Sequence, residues 1–121
     1  MERLRFIVLT DDAERLRGAL LLALSHVAGG GEASFFFQMD AVRLLTPGAI
    51  APRDAEHAAA GLPTLADMLA QALDADVQLI ACQTGLHLAA LSHAELDPRI
   101  NAGGPIAYMR DVNASDRLLL V

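Results

Sequence analysis

The hydrophobic pattern along the chain changes repeatedly from short apolar runs to helical periodicity. Residues 5–10 and 33–39 are nearly continuous apolar runs, typical of strands buried on both faces. Between them, residues 13–27 carry apolar positions at helical spacing. Two aspartates precede that segment as candidate N-caps, and glycines at 29–31 follow its end. The first third of the chain is therefore predicted to form a strand, a helix and a second strand.

The middle of the chain is predicted to contain two helices separated by a loop. Asp40 is a candidate N-cap for a short helix over residues 41–45. Residues 49–62 have little periodicity and contain a proline and a glycine, so they are predicted to form a loop with one helical turn. Helical spacing returns over residues 65–73, and residues 77–81 are predicted to form the third strand.

The last third of the chain completes the alternation of strands and helices. A helix is predicted over residues 84–91, followed by a polar stretch over 92–101 and a short helix that begins near Pro105. Residues 117–121 form the closing strand. This order predicts a single domain over residues 1–121, with a three-layer α/β fold and a mostly parallel sheet.

Composition adds an expectation about assembly and location. Apolar residues make up 54% of the 121 residues, and no apolar run approaches the roughly 18 residues that span a bilayer. The first residues also lack the apolar stretch of a signal peptide, so we expect a cytoplasmic protein. Covering a sheet on both faces and burying surface between subunits both account for the apolar surplus. We therefore expect a homo-oligomer and no membrane partner.

The charge pattern excludes several functions. The formal net charge is −6, and the nine basic residues are scattered along the chain, which argues against nucleic acid as a partner. All nine are arginines, because the sequence contains no lysine. Lysine Schiff-base chemistry and a P-loop lysine are therefore excluded.

Cys82 is the only cysteine and lies where the third predicted strand ends and a helix begins. One thiol cannot form an internal disulfide, so Cys82 is either a small buried residue or a reactive thiol. Backbone N–H groups at the start of a helix favour a thiolate. The small neighbours Ala81 and Gly85 are expected to leave the sulfur accessible, with Gln83 and Thr84 supplying amides or a cap.

Other candidate site residues are selected by their position at strand ends, where sites form in open α/β sheets. Asp11 follows the first strand, and Met39 and Asp40 end the second. His87 lies about one helical turn beyond Cys82 and is a candidate proton donor or acceptor. Helix capping also accounts for the two aspartates, and a surface position for His87. No metal-ligand spacing is present, and we expect neither a metal nor a cofactor.

The chain resembles the DsrE/DsrF-like family over nearly its full length. The resemblance is carried by a phenylalanine-rich second strand ending in Met39-Asp40-Ala41-Val42, by Ala81-Cys82-Gln83 at the end of the third strand, and by Gly103-Gly104. The chain departs from the closest branch in having Thr84-Gly85 where Met-Ser is typical. The resemblance implies a three-layer α/β/α sandwich with about five strands, and assembly into a trimer or hexamer.

The resemblance also implies a reaction. In sulfur-relay members, the matching cysteine accepts sulfane sulfur as a persulfide and passes it to a partner. By this resemblance Cys82 has that role, and the partners are a sulfur donor or acceptor protein. The rival hypothesis is a non-enzymatic small-ligand-binding or assembly module in which Cys82 only lines a pocket. A hydrolase built on Asp40 and His87 is a third, for which no motif is present.

Overall fold

The fold is built around one five-stranded sheet. The computed structural model describes all 121 residues. The strands are β1 (Leu4–Val8), β2 (Ala33–Phe37), β3 (Gln78–Cys82), β4 (Asn101–Gly103) and β5 (Arg117–Leu120). The helices are α1 (Ala13–Ala28), α2 (Asp54–Ala59), α3 (Leu65–Asp74), α4 (Gln83–Leu88) and α5 (Pro105–Arg110), with 3-10 segments at Met39–Leu45 and His93–Glu95.

The sheet is parallel throughout, with the strand order β4-β3-β2-β1-β5. Its all-parallel α/β architecture confirms the predicted fold class. Because every strand runs the same way, the carboxyl ends of all five strands lie along one edge. Predicted site residues that follow different strands therefore lie along that edge.

One face of the sheet holds the main core. Side chains alternate between faces along a strand, and this face presents Phe6, Val8, Phe35 and Phe37, which are all buried. The rings of Phe6 and Phe35 stack with their centroids 4.4 Å apart. Helices α1 and α3 pack against this face. The three-phenylalanine run of β2 accordingly lies at the centre of the sheet, where both faces are covered.

The opposite face is covered by the short helix α5. Tyr108 of α5 stacks on Phe36 with ring centroids 4.9 Å apart, and its hydroxyl forms a 3.0 Å hydrogen bond with Ser34. The Arg5 guanidinium lies 4.5 Å from the centre of the Tyr108 ring. Helix α5 has six residues, so the third layer of the sandwich is thin.

Strand β4 was not predicted from the sequence. Of its three residues, Asn101 ends the stretch predicted to be polar, and Ala102 and Gly103 lie between that stretch and the helix predicted to begin near Pro105. They become a strand because Asn101, Ala102 and Gly103 pair with the last three residues of β3. This pairing joins residues that are distant in sequence, so no local apolar pattern predicts it.

Two local predictions about helix boundaries were wrong. Asp40 does not cap a helix: the 3-10 segment begins at Met39, after Gln38, and Asp40 instead lies 3.6 Å from Arg43. Helix α4 ends at Leu88 instead of Leu91, because the chain turns at Ala90, whose φ is 54°. Helices α1 and α3 begin as expected, with Asp12 and Thr64 as side-chain N-caps. None of the helices is both long and apolar enough to cross a bilayer.

Candidate functional site

Cys82 lies at the carboxyl edge of the sheet, between β3 and α4. It is the last residue of β3 and the N-cap of α4, with φ −64° and ψ 125°. Alternation along β3 puts Cys82 on the same face of the sheet as Ile80. On β4, Gly103 is its register partner. The only thiol therefore occupies the kind of strand-to-helix junction at which α/β proteins form their sites.

The Cys82 side chain is buried, contrary to the expectation that Ala81 and Gly85 leave the sulfur accessible. Only 2% of the residue is exposed, and it belongs to the hydrophobic core. Ala81, Gly85 and Leu86 are buried as well. The reason is that α4 packs against the 3-10 segment at residues 39–45. Small neighbours here permit close packing instead of opening a path to the sulfur.

The hydrogen bonding expected around the sulfur is also absent. Cys82 makes no side-chain cap hydrogen bond with the first turn of α4. Thr84 lies inside α4 and is exposed, so it does not cap the helix. Gln83 is likewise exposed. In this conformation the amides at the start of α4 do not hold the sulfur.

Met39 and Gly85 form a close contact that positions α4. A β-carbon added at Gly85 would lie 2.5 Å from the carbonyl oxygen and 3.0 Å from the amide nitrogen of Met39. Met39 itself has φ 53°, in the left-handed region that residues with a β-carbon rarely adopt. The structure thus brings together two predicted site residues from distant parts of the chain. It also places a strained backbone residue beside the helix that carries Cys82.

The remaining predicted site residues stay apart from Cys82. His87 is exposed on α4, and no hydrogen bond joins it to Cys82. Asp40 is exposed and faces Arg43. Asp11 follows β1, which is separated from β3 by β2, a spacing of roughly 10 Å across the sheet. No cluster of three or more His, Cys, Asp or Glu side chains is arranged to hold a metal.

A cavity of about 250 Å³ lies between α5 and the β3–β4 edge, on the sheet face that carries Cys82. Ile80, two residues before Cys82, and Gly103, its register partner, line the cavity. Arg5 and Tyr108 line it from the other side. Cys82 itself does not line this cavity, and its side chain stays buried behind the residues that do.

Sequence reasoning missed the buried Arg5 in this cavity. Its Nη1 donates to the Tyr108 carbonyl oxygen at 3.1 Å, and its Nη2 donates to Asp111. Its Nε lies 3.4 Å from Asp116 Oδ2, without the geometry of a hydrogen bond. Arg5 is the first residue of the apolar run over residues 5–10, and that run by itself gives Arg5 no role. The sequence contains one sign of this role. A charged residue stands two positions before the apolar Ile7, on the same face of the predicted strand.

Comparisons with known proteins agree with this architecture. The sequence profile of the DsrE/DsrF/DrsH-like family matches residues 22–120. The solved structure of the ychN protein from E. coli is similar over 100% of both chains, with a TM-score of 0.74 and 16% sequence identity. At that identity the likeness concerns the fold. Among curated proteins, none matches this chain.

Proposed function

Because this chain belongs to the DsrE/DsrF/DrsH-like family, we propose that it is a sulfur carrier that works through Cys82. A sulfur donor supplies sulfane sulfur to this thiol, and an acceptor protein removes it. The observation that carries the proposal is the location of the chain's only cysteine at a strand-to-helix junction of the sheet's carboxyl edge. The chemistry suits the cytoplasm, where thiols are kept reduced.

The proposed reaction is two successive thiol–persulfide exchanges. The Cys82 thiolate attacks the outer sulfur of a donor persulfide, forms a new S–S bond and releases the donor thiolate. An acceptor thiolate then attacks the outer sulfur on Cys82, which breaks that bond and regenerates the Cys82 thiolate. Each step exchanges one S–S bond for another, so no external oxidant or reductant is needed. Since no second cysteine is present, both exchanges are intermolecular.

Burial of the thiol sets one requirement for this reaction. The 2% exposed Cys82 meets a donor only after local opening. Helix α4 is six residues long and lacks a side-chain cap at its start, features of a segment that opens at low free-energy cost. Movement of α4 would also release the left-handed Met39, against which Gly85 is packed. We propose that docking of a partner moves α4 and exposes the thiol.

Intact-protein mass spectrometry tests the proposal. The protein is incubated with a small-molecule persulfide donor, and the expected result is a mass increase of one sulfur atom that a thiol reductant removes. Cys82→Ser is expected to show no increase. Since this chain has one cysteine, any thiol modification reports Cys82 alone. Circular dichroism of the variant verifies that the fold is kept.

A second candidate function is favoured by the burial itself. If Cys82 is a core residue, the protein is a binding or assembly module without sulfur chemistry. Alkylation distinguishes the two, because a core thiol reacts only at the rate of global unfolding. The carrier proposal requires alkylation faster than that rate, together with persulfide formation. A native thiol that is inert to both reagents, while labelled quickly in denaturant, would sink the carrier proposal.

We also propose that the chain forms a closed homo-oligomer, a trimer or a hexamer. The support is the part of the sheet that α5 does not cover. Arg5 pairs with Leu118 and Ile7 with Leu120, so these four positions lie on the α5 face. Leu118 is 42% exposed and Leu120 71% exposed. Parallel sheets in proteins are covered on both faces, and a second copy supplies the missing cover.

A further inference from the structure

The largest of the described cavities is lined by none of the predicted site residues discussed above. It is an open cleft of about 510 Å³ along one side of α3. Its walls come from α3, from the end of the 3-10 segment with the following loop, and from residues 95–100 before β4. Each wall contributes a leucine: Leu69 from α3, Leu45 from the 3-10 segment and Leu96 from residues 95–100. The cleft follows Leu65 to Leu73 of α3, a length of roughly 12–15 Å.

Carboxylates supply all the charge of this cleft. Asp54, Glu95 and Asp97 line it, together with no arginine and no histidine. Asp97 is engaged through both oxygens by Arg99. Glu95 accepts a hydrogen bond from the Ser92 amide through Oε2, which leaves its Oε1 available. The cleft is therefore an apolar trough with an acidic rim.

Asp54 keeps one oxygen available in the same way. Its Oδ1 accepts from Arg17 Nη2 at 2.6 Å and from the Leu65 amide at 2.9 Å, while Oδ2 has no partner. These hydrogen bonds hold the carboxylate in its charged form, because the Arg17 hydrogen bond lowers the Asp54 pKa. Arginines compensate the charge of Asp54 and Asp97, so the rim presents the unpaired charge of Glu95 and free carboxylate oxygens on Glu95 and Asp54.

We propose that this cleft docks an amphipathic helix of a partner protein, with leucine-like residues on its inner face and lysine or arginine at its flanks. An apolar trough that follows a helix suits the helix-in-groove mode of recognition. Ala66 and Ala70 are exposed on the α3 wall, and their small side chains let a second helix approach closely.

The proposal is tested with synthetic peptides and a matched pair of variants. The probe is a fluorescein-labelled helical peptide of about 12 residues, with leucines on one face and lysines at the flanks. The same peptide with glutamates in place of the lysines is the comparison. Fluorescence anisotropy measures both affinities. The lysine peptide is expected to bind at least about tenfold more tightly than the glutamate peptide.

Ala70→Arg puts a long cationic side chain into the cleft, and Ala58→Arg makes the same change on the exposed face of α2. Both variants change the net charge equally, so general attraction between peptide and protein falls equally in the two. We expect Ala70→Arg to weaken binding of the lysine peptide at least about tenfold and Ala58→Arg less than about twofold. Glu95→Gln keeps the capping box and is expected to weaken binding about threefold in a salt-dependent way.

Three results would overturn the docking proposal. Equal binding of the lysine and glutamate peptides would remove the role of the acidic rim. Equal effects of Ala70→Arg and Ala58→Arg would show that the peptide binds elsewhere. Loss of self-association in Ala70→Arg, measured by light scattering, would assign the cleft to a second copy. Thermal unfolding followed by circular dichroism establishes that each variant folds.

Discussion

At the scale of single residues, the contact between Gly85 and Met39 sets the geometry around Cys82. At Gly85 of α4, the backbone of Met39 occupies the space that a side chain would need. Met39 keeps its left-handed φ of 53° because the surrounding structure holds it there. Cys82 is the N-cap of α4, the helix that this contact positions. We therefore expect the availability of its thiol to depend on whether the contact holds.

Gly85→Ala is predicted to destabilise the protein by about 1–3 kcal/mol, because the new methyl group overlaps the Met39 carbonyl oxygen. Gly18→Ala is the matched control, since Gly18 also lies in a helix but has open space around it. That change is expected to stabilise by roughly 0.5–1 kcal/mol. Denaturant unfolding measures both. A Gly85→Ala variant as stable as wild type would contradict the contact.

At the scale of elements, helix α2 is attached to the protein through charged groups. It has no buried residues, so apolar packing contributes little to its position. Asp54, at its start, accepts a hydrogen bond from Arg17 of α1 at 2.6 Å. His57 and Glu14 form a second contact at 3.1 Å. The segment between the 3-10 segment and α3 is thus held by ion pairs that respond to pH.

Asp54→Asn is predicted to loosen this segment. Asparagine keeps an oxygen for the Leu65 amide but loses the ion pair with Arg17, at an expected cost of about 1 kcal/mol for this partly exposed pair. Limited proteolysis within residues 46–64 should become faster. Asp67→Asn, at an exposed site on α3, is the control. An unchanged rate of proteolysis in Asp54→Asn would show that the ion pair between Asp54 and Arg17 does not hold this segment.

The same ion pair predicts a pH dependence. Hydrogen bonds from Arg17 and from the Leu65 amide lower the Asp54 pKa from its ordinary value of 3.8. A carboxyl group whose pKa is lower in the folded than in the unfolded protein stabilises the folded state. This stabilisation is complete at pH values above the unfolded pKa and is lost as pH falls through the folded pKa. Wild-type protein should therefore be cleaved faster as pH drops below 3.8, and Asp54→Asn should show a smaller increase, which comes from the contacts that Glu14 still makes. An acid-stable protease measures the difference.

At the scale of the whole molecule, the sheet is covered unequally. Helices α1 and α3 cover one face, whereas α5 with six residues covers part of the other. Strand β5 consequently exposes Leu118 and Leu120 at the edge of the sheet. An uncovered apolar face beside an unpaired edge strand is the surface at which we propose that subunits associate. The apolar surplus of the sequence is concentrated in part at this surface.

Leu120→Asp is predicted to dissociate the homo-oligomer while preserving the fold, because Leu120 is 71% exposed in the isolated chain. A charge at this position would be desolvated in the assembled state, so the subunits should separate. Ile50→Asp, at an 81% exposed residue outside the sheet, should leave the oligomer intact. Multi-angle light scattering at micromolar concentration measures the masses. A wild-type protein that elutes as a monomer would contradict the proposal.

Much of the fold was predictable because its signals are local. The three central strands are apolar runs, and α1 and α5 begin at Asp12 and at Gly104-Pro105, as their capping and N1 residues indicate. Strand β4 was not predictable, since it exists only through its pairing with β3. The contact between Gly85 and Met39 joins segments more than forty positions apart in sequence, so no periodicity records it.

Amino-acid order alone is sufficient for the alternating elements, the family and the position of one cysteine at a strand end. The alternation and the place of the cysteine follow from spacing, capping and turn chemistry over a few neighbouring residues, and the family follows from its matching motifs. The burial of Cys82, the strained Met39 beside it, the half-covered sheet and the acidic cleft depend on which elements pack together. Exposure is a property of everything that surrounds a side chain. It is therefore determined by long-range contacts, and here those contacts bury the thiol that the local sequence left open between a core position and a reactive one.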